Sequence, residues 1–194
     1  MKLKNIFKIE NGSALIIAIL LVAFLTSTGI LLMLVTTTGP KVASNVKLQE
    51  MAFNAAEAGF DSAWAVIENY FESQAWTSFE GHYLTTDKDG NNIDTPWING
   101  EVNPYYFRRL SDIEILNALS GLQPEPSTPG LIFNEGTYIP GEEGQNYTYT
   151  VFLIDDEAGG GTPDPSDALL VCIGRGPLNT TKRLEVEIYI ETQS

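Results

Sequence analysis

The sequence predicts an α+β fold in which one long N-terminal helix, membrane-spanning in its first half, packs on a C-terminal antiparallel sheet. Three observations predict it. Residues 13–35 read SALIIAILLVAFLTSTGILLMLV without a charge, and a helix needs about 20 such residues to cross a bilayer core. After Pro40 the apolar residues Val42, Val46, Phe53, Ala56, Phe60, Ala63, Trp64, Ile67 and Phe71 fall at the spacings of one helical face. Near the C-terminus, stretches of aromatic and β-branched residues alternate with loops rich in Gly, Pro and Asp.

The N-terminal segment carries most of the information. The net charge is −14, and residues 1–12 contribute +2 through Lys2, Lys4 and Lys8 against Glu10, which leaves −16 for the rest. Lysines ahead of an apolar span predict that the short end stays cytoplasmic and the acidic body crosses the membrane. The run is longer than the roughly 7–15 apolar residues of a cleaved secretory signal. The Thr26-Ser27-Thr28-Gly29 and Thr36–Pro40 stretches are weak helix formers. In lipid, however, the backbone must satisfy its own hydrogen bonds, so helix is expected throughout. Pro40 either kinks the helix or loosens one turn, whereas Thr and Gly also serve close packing in ordinary membrane helices. Residues 13–71 then make one helix of roughly 90 Å.

Composition excludes several function classes. An acidic body whose Arg and Lys come singly or in pairs and form no stripe does not suit nucleic acid, which needs clustered cations. A single cysteine, Cys172, excludes an internal disulfide and a multi-cysteine metal site. Cys172 lies in an apolar strand, where a small buried hydrophobe is the simpler reading than a catalytic thiol. The sequence has no phosphate loop, no G-x-S-x-G and no H-E-x-x-H. No enzyme is expected.

The residues of the N-terminal third also carry a resemblance. A short basic leader ends in Gly12, and a small polar residue, Ser13, opens the apolar run. Residues 52–59 then read AFNAAEAG. This combination resembles a type IV prepilin with a class III-type leader, and in particular the PilX-like minor pilins, over about residues 8–70. The resemblance implies a pilin-like fold and cleavage by prepilin peptidase between Gly12 and Ser13, with methylation of the new amine. It also implies packing of the helix in a filament core. It places the chain in the inner membrane with its head in the periplasm, and then in an extracellular pilus. The partners it implies are other minor and major pilins, the inner-membrane assembly platform and the peptidase. Most pilins carry glutamate as the fifth mature residue, and here Ile17 stands there. A subunit without that charge fits the filament tip. A type II secretion pseudopilin, and a periplasmic binding module or enzyme tethered by its helix, remain the alternatives.

The head divides into three parts by pattern: an amphipathic helix over 39–75, a loop-rich region over 76–146, and a sheet over 147–194. The leader, 1–12, and the membrane and filament helix, 13–38, precede them. Residues 147–154 (YTYTVFLI), 168–173 and 184–191 read as strands, the last alternating apolar residues with Glu185, Glu187 and Tyr189. Short connections favour an antiparallel meander. Phe53, Phe60, Trp64, Ile67 and Phe71 are expected to cover its apolar face. Within 76–146, Ser111 and Glu114 match a capping box that opens a short helix over 111–121.

One turn bears on cofactors. Asp87, Asp89, Asn91 and Asp94 place oxygens at intervals that calcium favours, but Gly90 and Ile98 depart from the EF-hand pattern. A surface turn, with Asp and Asn supplying the turn geometry, is the favoured account of these residues. No cofactor is expected from the sequence, with calcium at this turn the open alternative. The aromatic residues of 76–146, among them Trp97, Tyr105 and Tyr106, serve either core packing or adhesion.

Overall fold

The computed structural model describes residues 11–139, 146–155 and 164–190. Helix α1 runs Asn11–Glu72 and passes through Pro40. The chain forms two compact units, Met1–Val46 and Lys47–Ser194.

In the first unit, α1 carries its apolar side chains outward, with Leu15, Ile17, Leu20, Phe24, Leu31 and Val35 all exposed. It is the one helix among the described residues that is long and apolar enough to cross a membrane. The threonines that weaken its helix propensity turn their hydroxyls inward along the backbone. Thr26 donates to the Val22 carbonyl at 2.6 Å, Thr28 to Phe24 at 2.8 Å and Thr36 to Leu32 at 2.7 Å. Each hydroxyl is thereby satisfied within its own helix, which makes these polar residues compatible with an apolar surrounding.

The second unit is built around a four-stranded antiparallel meander in the order β3-β4-β5-β6. Its strands are β3 (Leu131–Ile139), β4 (Tyr147–Ile154), β5 (Asp167–Arg175) and β6 (Thr181–Tyr189). Strand β4 occupies the residues expected of it, and β5 and β6 overlap theirs. Strand β3 was not expected, because 76–146 read as loop.

Both faces of this sheet are covered. On β5, Ala168, Leu170 and Cys172 pack in one cluster with Ala56, Ala63 and Ile67 of α1. Their neighbours Leu169, Val171 and Ile173 point the other way, into a cluster with Leu84, Ile93, Phe107, Ile115 and Leu119. Alternation sends successive side chains to opposite faces, and here each face meets a core. That is why β5 is apolar throughout. The wet face expected of the sheet is found on the edge strands, where Glu185, Glu187 and Tyr189 of β6 and Glu135 and Thr137 of β3 are exposed.

The second cluster is supplied by the insert between α1 and β3. It contains a small hairpin, β1 (Trp97–Ile98) with β2 (Glu101–Val102), and helix α2 (Asp112–Leu119). The expected capping box is present. Ser111 accepts from the Glu114 N–H, and the Glu114 carboxylate accepts from the Ser111 N–H at 2.8 Å. Leu116 and Leu119 point down from α2 into the core.

The helix-to-sheet contact is made in part by the residues the periodicity predicts. Ile67 is buried, and Phe60 and Phe71 pack at the margin of the cluster. Phe53 and Trp64 are 39% and 44% exposed. The packing face is completed by small residues, Ala52, Ala55, Ala56 and Ala63, all fully buried, with Gly59 between them. Small side chains let the helix backbone come close to the sheet. Gly174 on β5 sits under this face, and a Cβ there would lie 2.6 Å from the Ala56 backbone nitrogen.

Candidate functional site

The sequence-predicted residues fall in separate places. Gly12 and Ser13 lie in the first turns of α1, while the leader residues 1–10 lie outside the described residues. Ile17 projects from the exposed part of the helix. Pro40 continues it. The apolar flank of Ile17 contains no charged side chain from residue 13 to residue 40, so it offers a purely dispersive and hydrophobic contact surface.

The acidic turn resolves into hydrogen bonds of its own. One Asp87 carboxylate oxygen accepts from the N–H groups of Asp89 and Asn91 at 2.9 and 2.8 Å. The other accepts from the Asn91 side-chain amide at 2.9 Å. Asp94 accepts from the Thr95 hydroxyl at 2.8 Å. Asp87 is thus engaged in the geometry of an Asx turn, closed by a bridge between Thr86 and Asn92. Among the described residues no group of three His, Cys, Asp or Glu side chains is placed to hold a metal ion.

Cys172 is fully buried, and burial pushes its thiol up to about 12. Such a thiol carries no thiolate at neutral pH, the opposite of an activated nucleophile. His82 stacks on Trp76 with ring centroids 4.0 Å apart and faces Glu125 at 3.6 Å.

Two surface features stand out on the second unit. An open groove of about 480 Å³ runs between the end of α1 and the end of β6, floored by Ile67, Phe71, Phe79 and Ile188 and bordered by Glu68 and Glu72. The other is the β1–β2 hairpin. Asn99 and Gly100 at its tip have φ of 52° and 83°, the left-handed pair of a type I′ turn. Its stem is held by Asn103, 2% exposed, whose side-chain amide donates to the carbonyls of Asn92 and Thr95 at 2.9 and 2.7 Å. Arg109 donates to the carbonyls of Pro96 and Asn103 at 2.7 and 2.9 Å. The sequence reading named Trp97 and Tyr105 as aromatic residues but did not find the hairpin. The Asn99-Gly100 dipeptide was the signal for it.

Residues 11–61 match the family model described as PilX N-terminal. No curated protein and no solved structure matches the chain. The matched segment takes in Gly12, Ser13, Ile17 and Pro40 together with the alanine face up to Gly59. Over these residues the chain is similar to the PilX-like minor pilins of type IV pili, a structural family.

Proposed function

We propose that this chain is a low-copy minor subunit of a type IV pilus, working at the start or the tip of the filament, and that its mechanism is assembly. The match of residues 11–61 to the PilX N-terminal family carries the reading. The uncharged, outward-facing apolar helix supports it. Cleavage between Gly12 and Ser13 removes Lys2, Lys4 and Lys8 and leaves Ser13 as a new, methylated N-terminus. The apolar part of α1 holds the subunit in the inner membrane, with its acidic head in the periplasm. It then exchanges lipid for the helices of other minor and major pilins as the assembly platform extrudes them.

Ile17 favours the tip over the shaft. A carboxylate at that depth is costly unless a partner's amine neutralises it. With isoleucine the subunit sits in lipid at no such cost and offers no charge with which to slide beneath an earlier subunit. A tip subunit has none ahead of it.

The test is the intact mass and N-terminal sequence of the protein produced with and without prepilin peptidase. A chain starting at Ser13 only when the peptidase is present supports the assignment. An unprocessed N-terminus in both cells overturns it.

A further inference from the structure

We infer that the groove between the end of α1 and the end of β6 is a docking site for a peptide segment of another protein, one that pairs apolar side chains with a lysine or arginine.

The groove is apolar and open. Ile67 and Ile188 lie buried beneath it, while Trp64 and Tyr189 line it and are 44% and 72% exposed. A single exposed apolar side chain is ordinary, but two aromatic rings beside a concave aliphatic floor have the composition of a binding pocket. Its volume of about 480 Å³ suits a few side chains rather than the flat face of a domain.

The charges on the groove have one sign. Glu68 and Glu72 border it, and no Lys, Arg or His lines it. The cations of the two flanking elements lie at their other ends. Lys47 precedes Glu68 on α1 by about 30 Å of helix, and Lys41 lies further back. On β6, Lys182 pairs with Gly174 at the far end of the strand, and Arg183 turns to Asp112. The other cations have partners elsewhere. Arg108 bonds Glu185 at 2.9 Å, and Arg109 bonds the carbonyls of Pro96 and Asn103. Lys88 and Arg175 bond Asn117 and Asn179, and His82 stacks on Trp76 beside Glu125.

Neither acid serves the fold. Among the described residues, neither the Glu68 nor the Glu72 carboxylate has an ion pair or hydrogen bond. Four residues apart, they repel across one helical turn. They also stand at the carbonyl end of α1, which carries partial negative charge of its own, and the last turn has no basic residue to offset them. Helix stability alone would favour lysine at either place. A cation docked at the rim relieves both repulsions.

Chemistry selects the occupant. An aliphatic or aromatic side chain fills the floor, and an ammonium or guanidinium beside it meets the two carboxylates. Glu191-Thr192-Gln193-Ser194, which follow Ile190, are polar and add another acid, so the chain's own end matches neither half. A second copy would offer the β1–β2 hairpin, but Glu101 stands at its turn and the neighbouring arginines are bonded within their own head.

The experiment measures binding of three fluorescent synthetic peptides to the full chain in nanodiscs of zwitterionic lipid. One alternates leucine and lysine, one has glutamate for lysine, and one has serine for leucine. The leucine–lysine peptide should bind the loaded nanodiscs and not empty ones, and the other two should bind about tenfold more weakly or less. Glu68→Gln together with Glu72→Gln should weaken binding about tenfold while leaving the melting temperature unchanged or raised, because the like-charge pair is gone. Trp64→Ala should weaken it several-fold. Glu57→Gln together with Asp61→Gln removes the same charge from α1 outside the groove and should leave the affinity near that of the parent. Equal loss from both pairs, equal binding of the glutamate or serine peptide, or binding no stronger than to empty nanodiscs would each overturn the proposal. Self-association of the chain that the Glu68 and Glu72 substitutions abolish would assign the groove to a second copy and overturn it too.

Discussion

Gly174 of β5 lies directly against Ala52 of α1, so close that a methyl group at 174 would overlap the Ala52 carbonyl oxygen. The obstruction is backbone, which cannot rotate aside as a side chain can. Gly174→Ala should therefore force helix and sheet apart and destabilise the head by about 1–3 kcal/mol, the usual cost of overpacking. Gly29→Ala meets nothing within 4 Å and should leave the melting of the head unchanged. Chemical denaturation of the two variants, monitored by tryptophan fluorescence, checks the contrast.

The burial of Ile67 and the exposure of Trp64 make a second contrast on the same helix. Ile67, 3% exposed, should cost about 2–5 kcal/mol when cut to alanine, through lost burial and the cavity left behind. Trp64→Ala should cost far less, although tryptophan is the larger side chain. Equal losses would restore Trp64 to the packing face.

Arg183 ties edge strand β6 to α2. Its Nε donates to Asp112 at 2.7 Å, and its other nitrogens reach the carbonyls of Leu110 and Phe107 at 3.1 and 3.4 Å. Removal leaves a carboxylate and two carbonyls short of a donor in a half-buried place. Arg183→Ala should cost about 1.5–3 kcal/mol, as for hydrogen bonds to charged groups. Arg183→Lys should recover only part of that, since an ammonium lacks the planar fork. Equilibrium unfolding of both variants measures the difference.

The capping box of α2 makes a pH-dependent contribution. The Ser111 side chain, and then its backbone N–H, hold the Glu114 carboxyl below its ordinary value of 4.5. Because the folded state favours the ionised form, the contribution is fully present above pH 4.5 and fades as pH falls through the folded value. Ser111→Ala should lower stability by about 1 kcal/mol at neutral pH. The gap between variant and parent should narrow in acid, which unfolding curves at pH 7 and pH 3 would show; a gap independent of pH would separate the two residues.

How far these features were legible in the sequence depended on how far local pattern agreed with tertiary packing. Residues 147–154 combine aromatic and β-branched side chains over a run of strand length, and β4 follows them from end to end. Strand β3 was hidden by its irregularity. Asn134-Glu135-Gly136 breaks the period of two, the register with β4 shifts on either side of it, and Glu135 has a φ of 54°. The helix face was read only in part, with Ala56, Ala63 and Ile67 found by their period and Ala52 and Ala55 missed. Large apolar residues dominate a periodicity count, but a helix seated closely on a sheet selects small ones. The useful signs were the run of Ala52, Ala55, Ala56, Gly59 and Ala63, and a glycine inside an apolar strand, which marks a close backbone approach. Of the candidate sites, the Asp87 turn was legible because turn chemistry is local in sequence. The hairpin at 97–102 was not, since its exposure depends on which neighbouring aromatic residues the core takes up.

The alanine face also bears on how the protein is made. Helix α1 leaves the ribosome first, and the strands that cover it follow only after residue 131. At about 5–20 residues per second, the last strand appears on the order of ten seconds later. Through that delay the stripe left uncovered from residue 52 to residue 63 consists of Ala52, Ala55, Ala56, Gly59 and Ala63, with Ile67 and Phe71 only at its far end. A stripe of methyl groups is a poor nucleus for sticking to other nascent chains, yet it becomes a dry seam once β5 closes over it. The small side chains that let helix and sheet touch thus also make this part of the waiting helix less adhesive until its own sheet arrives.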